Sequence, residues 1–129
     1  MAAQTLLVVE DEFLIRFMLC DSLRDLGYQV LEAASGDEGL DILMSGQTID
    51  LVITDVHMPG GLDGMELTRR AKRLAPDRPV IVCSAHLVSS DAPPADAFIA
   101  KPYTVAALSA AIERLIGDPW QTSSRDLSA

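Results

Sequence analysis

Leu51-Val52-Ile53-Thr54-Asp55, followed at once by Val56-His57-Met58-Pro59-Gly60-Gly61, is the stretch on which the fold turns. A short run of apolar and β-branched residues bounded by Pro and Gly reads as a strand buried on both faces, as in a parallel sheet. Ligands of an open α/β sheet bind beyond the carboxyl ends of its strands, so Asp55 is expected at the rim of a crevice. A strand-terminal Asp alone is weak evidence, because Asp also caps turns and helices. Its weight comes from other runs that end in matching chemistry.

On the amino-terminal side, Leu6-Leu7-Val8-Val9 is a buried-strand candidate ending in Glu10-Asp11-Glu12. From Phe13 the period changes: Ile15, Met18, Leu19, Ser22, Leu23 and Leu26 recur at three and four, predicting an amphipathic helix closed by Gly27. Tyr28 to Ala33 reads as a shorter strand nearer an edge. Ser35-Gly36-Asp37-Glu38 opens a second helix with Leu40, Leu43 and Met44 on its apolar face and Gly46 at its end.

Beyond Asp55, Asp63 can cap a third helix from Gly64 to about Ala75, with Met65, Leu67, Ala71 and Leu74 available for packing. Its basic residues Arg69, Arg70, Lys72 and Arg73 read as a solvated face. Pro79 to Ser84 is a fourth strand. Ser89, Ser90, Asp91, Pro93 and Pro94 leave at most one irregular turn between Ala85 and Ala95. Ala97-Phe98-Ile99-Ala100 is a fifth strand ending in Lys101-Pro102, and Thr104 can cap a last helix with Leu108, Ile112, Leu115 and Ile116 in one stripe.

Strands alternating with helices predict a doubly wound five-stranded parallel α/β sheet of flavodoxin-like order 2-1-3-4-5, with a shortened or irregular fourth helix. The expected domain is 1–117, followed by a polar, flexible tail over 118–129. At 129 residues the chain can bury a core without disulfides. The formal charge of −9 disfavours nucleic acid or anionic membrane as a partner. Cys20 and Cys83 have no zinc or disulfide spacing and read as buried reduced thiols. No apolar run approaches the ~20 residues a membrane span needs, and the start lacks the basic character of a signal peptide, so a cytoplasmic location is expected.

That strand order gathers Glu10-Asp11, Asp55, Ser84 and Lys101 on one rim. Three close carboxylates repel one another, and a hard divalent cation relieves them; Mg²⁺ suits an all-oxygen site, with Mn²⁺ as the alternative. Acids, a metal and a lysine suit a phosphoryl group, whose transfer needs in-line positioning and charge neutralisation. Asp55 is then the nucleophile that forms an acyl phosphate, and Ser84 can hydrogen-bond a phosphoryl oxygen. No Gly-x-x-x-x-Gly-Lys loop supports nucleotide binding.

Over residues 5–117 this ordered set resembles the receiver domain of two-component response regulators, of the stand-alone, chemotaxis-regulator-like type. The shared features are an acidic pair after the first strand, Asp followed by Met-Pro-Gly and Asp-Gly, a Ser, and Lys-Pro. The resemblance implies that Asp55 accepts phosphate from a histidine kinase or phosphotransfer protein. It also implies that Asp11, Asp55 and the backbone carbonyl of His57 ligate Mg²⁺, with Glu10 acting through water. Lys101 pairs with the phosphoryl group, Ser84 swings toward it, and Phe98 moves with it as the switch aromatic. Such a chain is a signalling switch rather than an enzyme, and its output passes through a downstream protein target that the sequence does not identify. A phosphorylation-dependent homodimer is compatible with this.

Three features depart from the family pattern. The run from Ser84 to Lys101 is short, the loop Met58–Gly64 has one extra residue, and Phe98 replaces the frequent tyrosine. His57 and His86 each follow a site residue by two positions. They are either exposed loop residues or side chains that tune the lifetime of the acyl phosphate. The alternative from another class is a small Mg²⁺-dependent phosphohydrolase of haloacid-dehalogenase type; it wants a second acid two residues after its nucleophile, where this chain has His57.

Overall fold

A computed structural model of the protein describes residues 3–85 and 95–120. Chain order is β1 (Thr5–Val9), α1 (Phe13–Asp25), β2 (Gln29–Ala33), α2 (Gly36–Met44) and β3 (Leu51–Asp55). It continues with α3 (Gly64–Leu74), β4 (Val80–Ser84), β5 (Ala97–Ala100) and α4 (Val105–Ile116). All strand pairs are parallel, in the order β2-β1-β3-β4-β5. That is the flavodoxin-like order expected, with β2 at an edge. The expected irregular turn or shortened helix after Ala85 falls on 86–94, outside the described residues.

The strand period of two divides the core. Leu6, Val8, Leu51, Ile53, Ile81 and Cys83 point to one face, where Leu19, Leu23, Leu108 and Ile112 cover them. Leu7, Val9, Val52, Val80 and Val82 point to the other, under Leu43, Leu67 and Ala71. Both sheet faces are therefore dry, and each fully buried Leu or Ile contributes about 1.5–3 kcal/mol by leaving water. Three helix starts are capped where the sequence has Ser, Asp and Thr: the Ser35 hydroxyl accepts from Glu38 N–H, Asp63 Oδ1 from Glu66 N–H, and Thr104 Oγ1 from Ala107 N–H. At the end of α1, Gly27 takes a φ of +110°, which a side chain would resist.

Helix α1 corrects one expectation. Leu19, Cys20 and Leu23 face inward, whereas Ile15, Met18 and Leu26, expected on the same stripe, are exposed. The first turns are apolar on every side, so the period alone does not choose a face. Contact with the sheet chooses it. Phe13, Leu14, Phe17 and Met18 are thereby left on the surface at 54–67% exposure. Met44 and Leu74 are likewise exposed rather than packed.

Two polar readings also change. Lys72 is not part of a solvated face: its ammonium lies 2.6 Å from Asp96 and donates to the carbonyls of Pro76 and Arg78. Asp96 in turn accepts from Val80 N–H, tying α3 to the entry of β4. The polar tail does not begin at residue 118, because Gln4 N–H donates to the Pro119 carbonyl at 2.8 Å and Gln4 Nε2 to that of Asp118 at 3.0 Å. Spare donors at the start of β1 thus hold the chain after α4, and Pro119 is buried. Residues 121–129 lie outside the described residues.

Candidate phosphoacceptor site

Register delivers the site. Val9 pairs with Thr54 and Asp55 with Cys83, so Glu10 and Asp55 emerge side by side from adjacent strands. Ser84 pairs with Ala100, and Lys101 N–H donates to the Ser84 carbonyl at 2.8 Å. Parallel strands end at one edge of the sheet, so all of these side chains meet there.

Carboxylate oxygens of Glu10, Asp11 and Asp55 lie within 4.8 Å of one another. Asp11 is exposed, Asp55 is half-buried and Glu10 is buried. Asp55 Oδ1 accepts from Val56 N–H at 2.8 Å, and Oδ2 accepts from the Lys101 ammonium at 2.8 Å. The same ammonium stands 3.6 Å from Glu10 Oε1, while Glu10 Oε2 accepts from Glu12 N–H at 3.2 Å. Lys101 therefore bridges two of the three acids. Glu12 stands at the start of α1, its side chain making no cap.

These contacts set the charges. Burial raises the pKa of Glu10; contacts with Asp11 and the field of Asp55 push the same way, and Glu12 N–H and Lys101 offset only part of it. For Lys101, burial works to lower the pKa, but the hydrogen bond to Asp55 and the fields of Asp55 and Glu10 outweigh it and hold the group above 10.5. The ammonium is thus charged throughout the neutral range. Beneath the rim, burial pushes the Cys83 thiol up to about 12, and the Tyr103 hydroxyl beside it is raised as well, chiefly by burial.

The loop after β3 explains why glycine stands at 64. A Cβ there would lie 1.8 Å from the Asp55 carbonyl oxygen. Gly64 N–H also donates to the Val56 carbonyl, folding the loop back under Asp55. Gly60 and Gly61, at φ of +73° and +44°, turn the Met58–Gly64 loop, and Leu62 closes on Gly36 of α2.

Of the residues expected to meet, Glu10, Asp11, Asp55 and Lys101 do so, and Ser84 ends β4 next to them, buried. His57 is exposed on the loop after Asp55. Phe98 is 44% exposed on β5, with neighbouring Ala97 and Ile99 packed on the core. His86 lies outside the described residues. Sequence reasoning overlooked Arg16, whose Nη1–H donates to the Glu10 carbonyl at 2.8 Å. The available signal was one basic residue in an otherwise apolar run, Phe13 to Cys20.

A five-stranded doubly wound sheet with an acid triad and a paired lysine beyond its strand ends defines a small α/β protein whose carboxylates suit a hard cation. Comparison with known proteins agrees. The response regulator receiver domain family matches residues 6–113, and the chain belongs to that family. Among curated relatives, the sensor kinase CckA of Brucella abortus (strain 2308) is 36% identical over 118 residues, covering 87% of this chain and 12% of that protein. The sporulation initiation phosphotransferase F of Bacillus subtilis (strain 168) is 35% identical over 86 residues, 67% of this chain and 68% of that protein. The chain thus spans about an eighth of the length of that sensor kinase. Among solved structures, the response regulator TrrA of Thermotoga maritima, in complex with Mg(2+)-BeF, has a TM-score of 0.80 at 32% identity, covering 88% of this chain and 99% of that one.

The chain is therefore a receiver domain of two-component phosphorelay systems, a family of signalling switches phosphorylated on aspartate. Receiver domains bind Mg²⁺ through acidic residues, and the triad here suits that ion: three convergent oxygen donors, one of them buried and disfavoured as a bare anion. No helix among the described residues is long and apolar enough to cross a membrane.

Proposed function

We propose that Asp55 takes a phosphoryl group from the phosphohistidine of a histidine kinase or phosphotransfer protein. An Asp55 oxygen forms the new bond to phosphorus while the phosphorus–nitrogen bond of the donor breaks; the electron pair of that bond stays on nitrogen, and the donor ring, whose other nitrogen already carries a proton, leaves as neutral imidazole. Val56 N–H and Lys101 hold the carboxylate in one orientation, so that attack costs little reordering. Lys101, already charged, accompanies the phosphoryl oxygens as they approach. Mg²⁺, held by Asp11, Asp55 and the His57 carbonyl, with Glu10 through water, would neutralise the remaining negative charge. The Mg(2+)-BeF complex of TrrA is support by analogy. Ser84 would donate its hydroxyl to the phosphoryl group, and Phe98 would change its exposure in response. His57, and His86 by the same reasoning from sequence, would shield or position the water that later hydrolyses the acyl phosphate.

The observation that carries this reading is Lys101 at 2.8 Å from Asp55 inside an acid triad only 4.8 Å across. The exposed apolar start of α1 adjoins the same rim and provides a surface for the donor to cover. We take the chain to act as a phosphorylation-dependent switch in the cytoplasm, passing its state to a partner protein. Nothing in the site favours the phosphohydrolase, since His57 stands where that chemistry needs its second acid. Acetyl phosphate with Mg²⁺, read by intact mass, tests the proposal. One phosphoryl group is expected on the wild type and none on Asp55→Asn; equal labelling of both would refute it.

A further inference from the structure

We propose that Arg16 is a positioning residue for the cation site, holding the backbone of the acid pair so that Glu10 and Asp11 face Asp55. This rests on the proposed Mg²⁺ site and adds a residue outside its ligand set. Glu10 and Asp11 follow the last residue of β1 and precede α1, where no sheet ladder fixes the peptide between them. The Glu10 amide is fixed, donating to the Ala33 carbonyl at 3.0 Å. Its carbonyl is fixed by Arg16 Nη1–H at 2.8 Å. Both ends of the residue are then pinned, and the carboxylates that follow have one direction to take.

Arg16 is itself immobilised. Its Nε–H donates to Glu32 Oε1 at 3.3 Å, and the other oxygen of Glu32 is held by Arg24 at 3.0 Å. The guanidinium carbon lies 5.6 Å from the centre of the Phe13 ring, which stacks on Phe17. Only 14% of the Arg16 side chain is exposed. A planar fork serves the Glu10 carbonyl and Glu32 together, which a single ammonium does less well. Outer groups that orient the ligands of a metal typically govern its affinity 10- to 100-fold.

A positioning role and a mere charge predict opposite signs. If Arg16 were only a cation near an anionic site, removing it would tighten Mg²⁺ binding. If it orients the acid pair, removing it loosens binding despite the added negative charge. Titration calorimetry of Mg²⁺ into the metal-free chain reads this directly, at a temperature where each variant is folded by circular dichroism. Arg16→Met is expected to raise the Mg²⁺ Kd roughly 10-fold. Arg24→Ala, which removes the other partner of Glu32 and leaves the Glu10 carbonyl bonded, is expected to bind like the wild type. Should Arg16→Met not fold, Arg16→Lys carries the test: it keeps the charge without the fork and is expected to weaken binding too. Wild-type or tighter affinity in an Arg16 variant that folds overturns the proposal. A wild type that takes up no Mg²⁺ refutes the cation site itself, and the positioning role with it.

Discussion

Glu10→Gln should make the metal-free protein more stable at neutral pH, although it damages the site. The oxygens of the triad are no more than 4.8 Å apart, and two unit charges at that distance repel by about 0.9 kcal/mol even in the dielectric of water. Two neighbours therefore cost ionised Glu10 about 1.7 kcal/mol, and Lys101 at 3.6 Å returns about 1.2 kcal/mol on the same scale. About half a kilocalorie remains against the charged form, and burial of a side chain only 8% exposed adds to it. A glutamine keeps an oxygen for Glu12 N–H and sheds the charge. We expect a gain of about 0.5–1.5 kcal/mol at pH 7.5 in EDTA, a rise of about 2–6 °C in Tm.

The pH dependence has a definite sign. Because the pKa of Glu10 is raised on folding, the folded chain binds its proton more tightly than the unfolded chain does. Stability from this group is complete below the unfolded value near 4.5 and is lost as pH rises through the folded value. The advantage of glutamine must therefore appear above that window and vanish below it. Urea unfolding of both proteins at pH 7.5 and pH 4, in EDTA, measures this. Saturating Mg²⁺ should reverse the order, since ligand at 100 times its Kd adds about 2.7 kcal/mol to whichever chain still binds it. Glutamine that destabilises at pH 7.5, or an undiminished advantage at pH 4, would refute the reasoning.

Gly64→Ala places a methyl group 1.8 Å from the Asp55 carbonyl oxygen, so the strand end must move. Stability should fall by about 1–3 kcal/mol in urea unfolding, with slower labelling by acetyl phosphate. Cys83, 2% exposed and with its thiol pushed up to about 12, should resist an aromatic disulfide reagent at pH 8 in the native state and react at once in urea. Fast native modification of Cys83, followed by peptide mapping, would contradict the packing of β4.

The sheet was legible because its residues obey one constraint. β1, β3 and β4 are buried on both faces, so each reads as an unbroken apolar run, and the residue ending each run must lie on the rim. That rule puts Glu10 and Asp11, Asp55 and Ser84 on the rim, whereas Lys101 follows β5, which is only partly buried, and is read from the Lys-Pro that ends the run. The face of α1 was not legible, because Phe13, Leu14, Ile15, Phe17 and Met18 are apolar all around the first turns. Nor was the partner of Arg16: a lone basic residue in the apolar run Phe13 to Cys20 marks the position, but a backbone carbonyl leaves no trace in the pattern of side chains. Lys72 was misread for a related reason: a basic run predicts solvent unless a distant acid, here Asp96, comes to meet it.

On the proposed reading, the resting site also constrains how the switch can work. The β4–β5 pairing runs to the very rim, where Lys101 N–H closes on the Ser84 carbonyl, so the backbones of these strands are pinned together up to the site. A phosphoryl group on Asp55 could not pull the strands apart without breaking that ladder. What it can change is the partner of the Lys101 ammonium, now shared between Asp55 and Glu10, and the direction of the Ser84 hydroxyl. Contacts made only in the phosphorylated state bias a pre-existing equilibrium by no more than their own free energy, and a shift from 1:99 to 99:1 needs about 5.5 kcal/mol. A hydroxyl and one redirected ammonium supply about 3–6 kcal/mol when both bonds are charge-assisted. That is close to what is required, which makes the pinned strands an advantage: the free energy of phosphorylation goes to side chains at the rim, with Phe98 on β5 already exposed and free of the core.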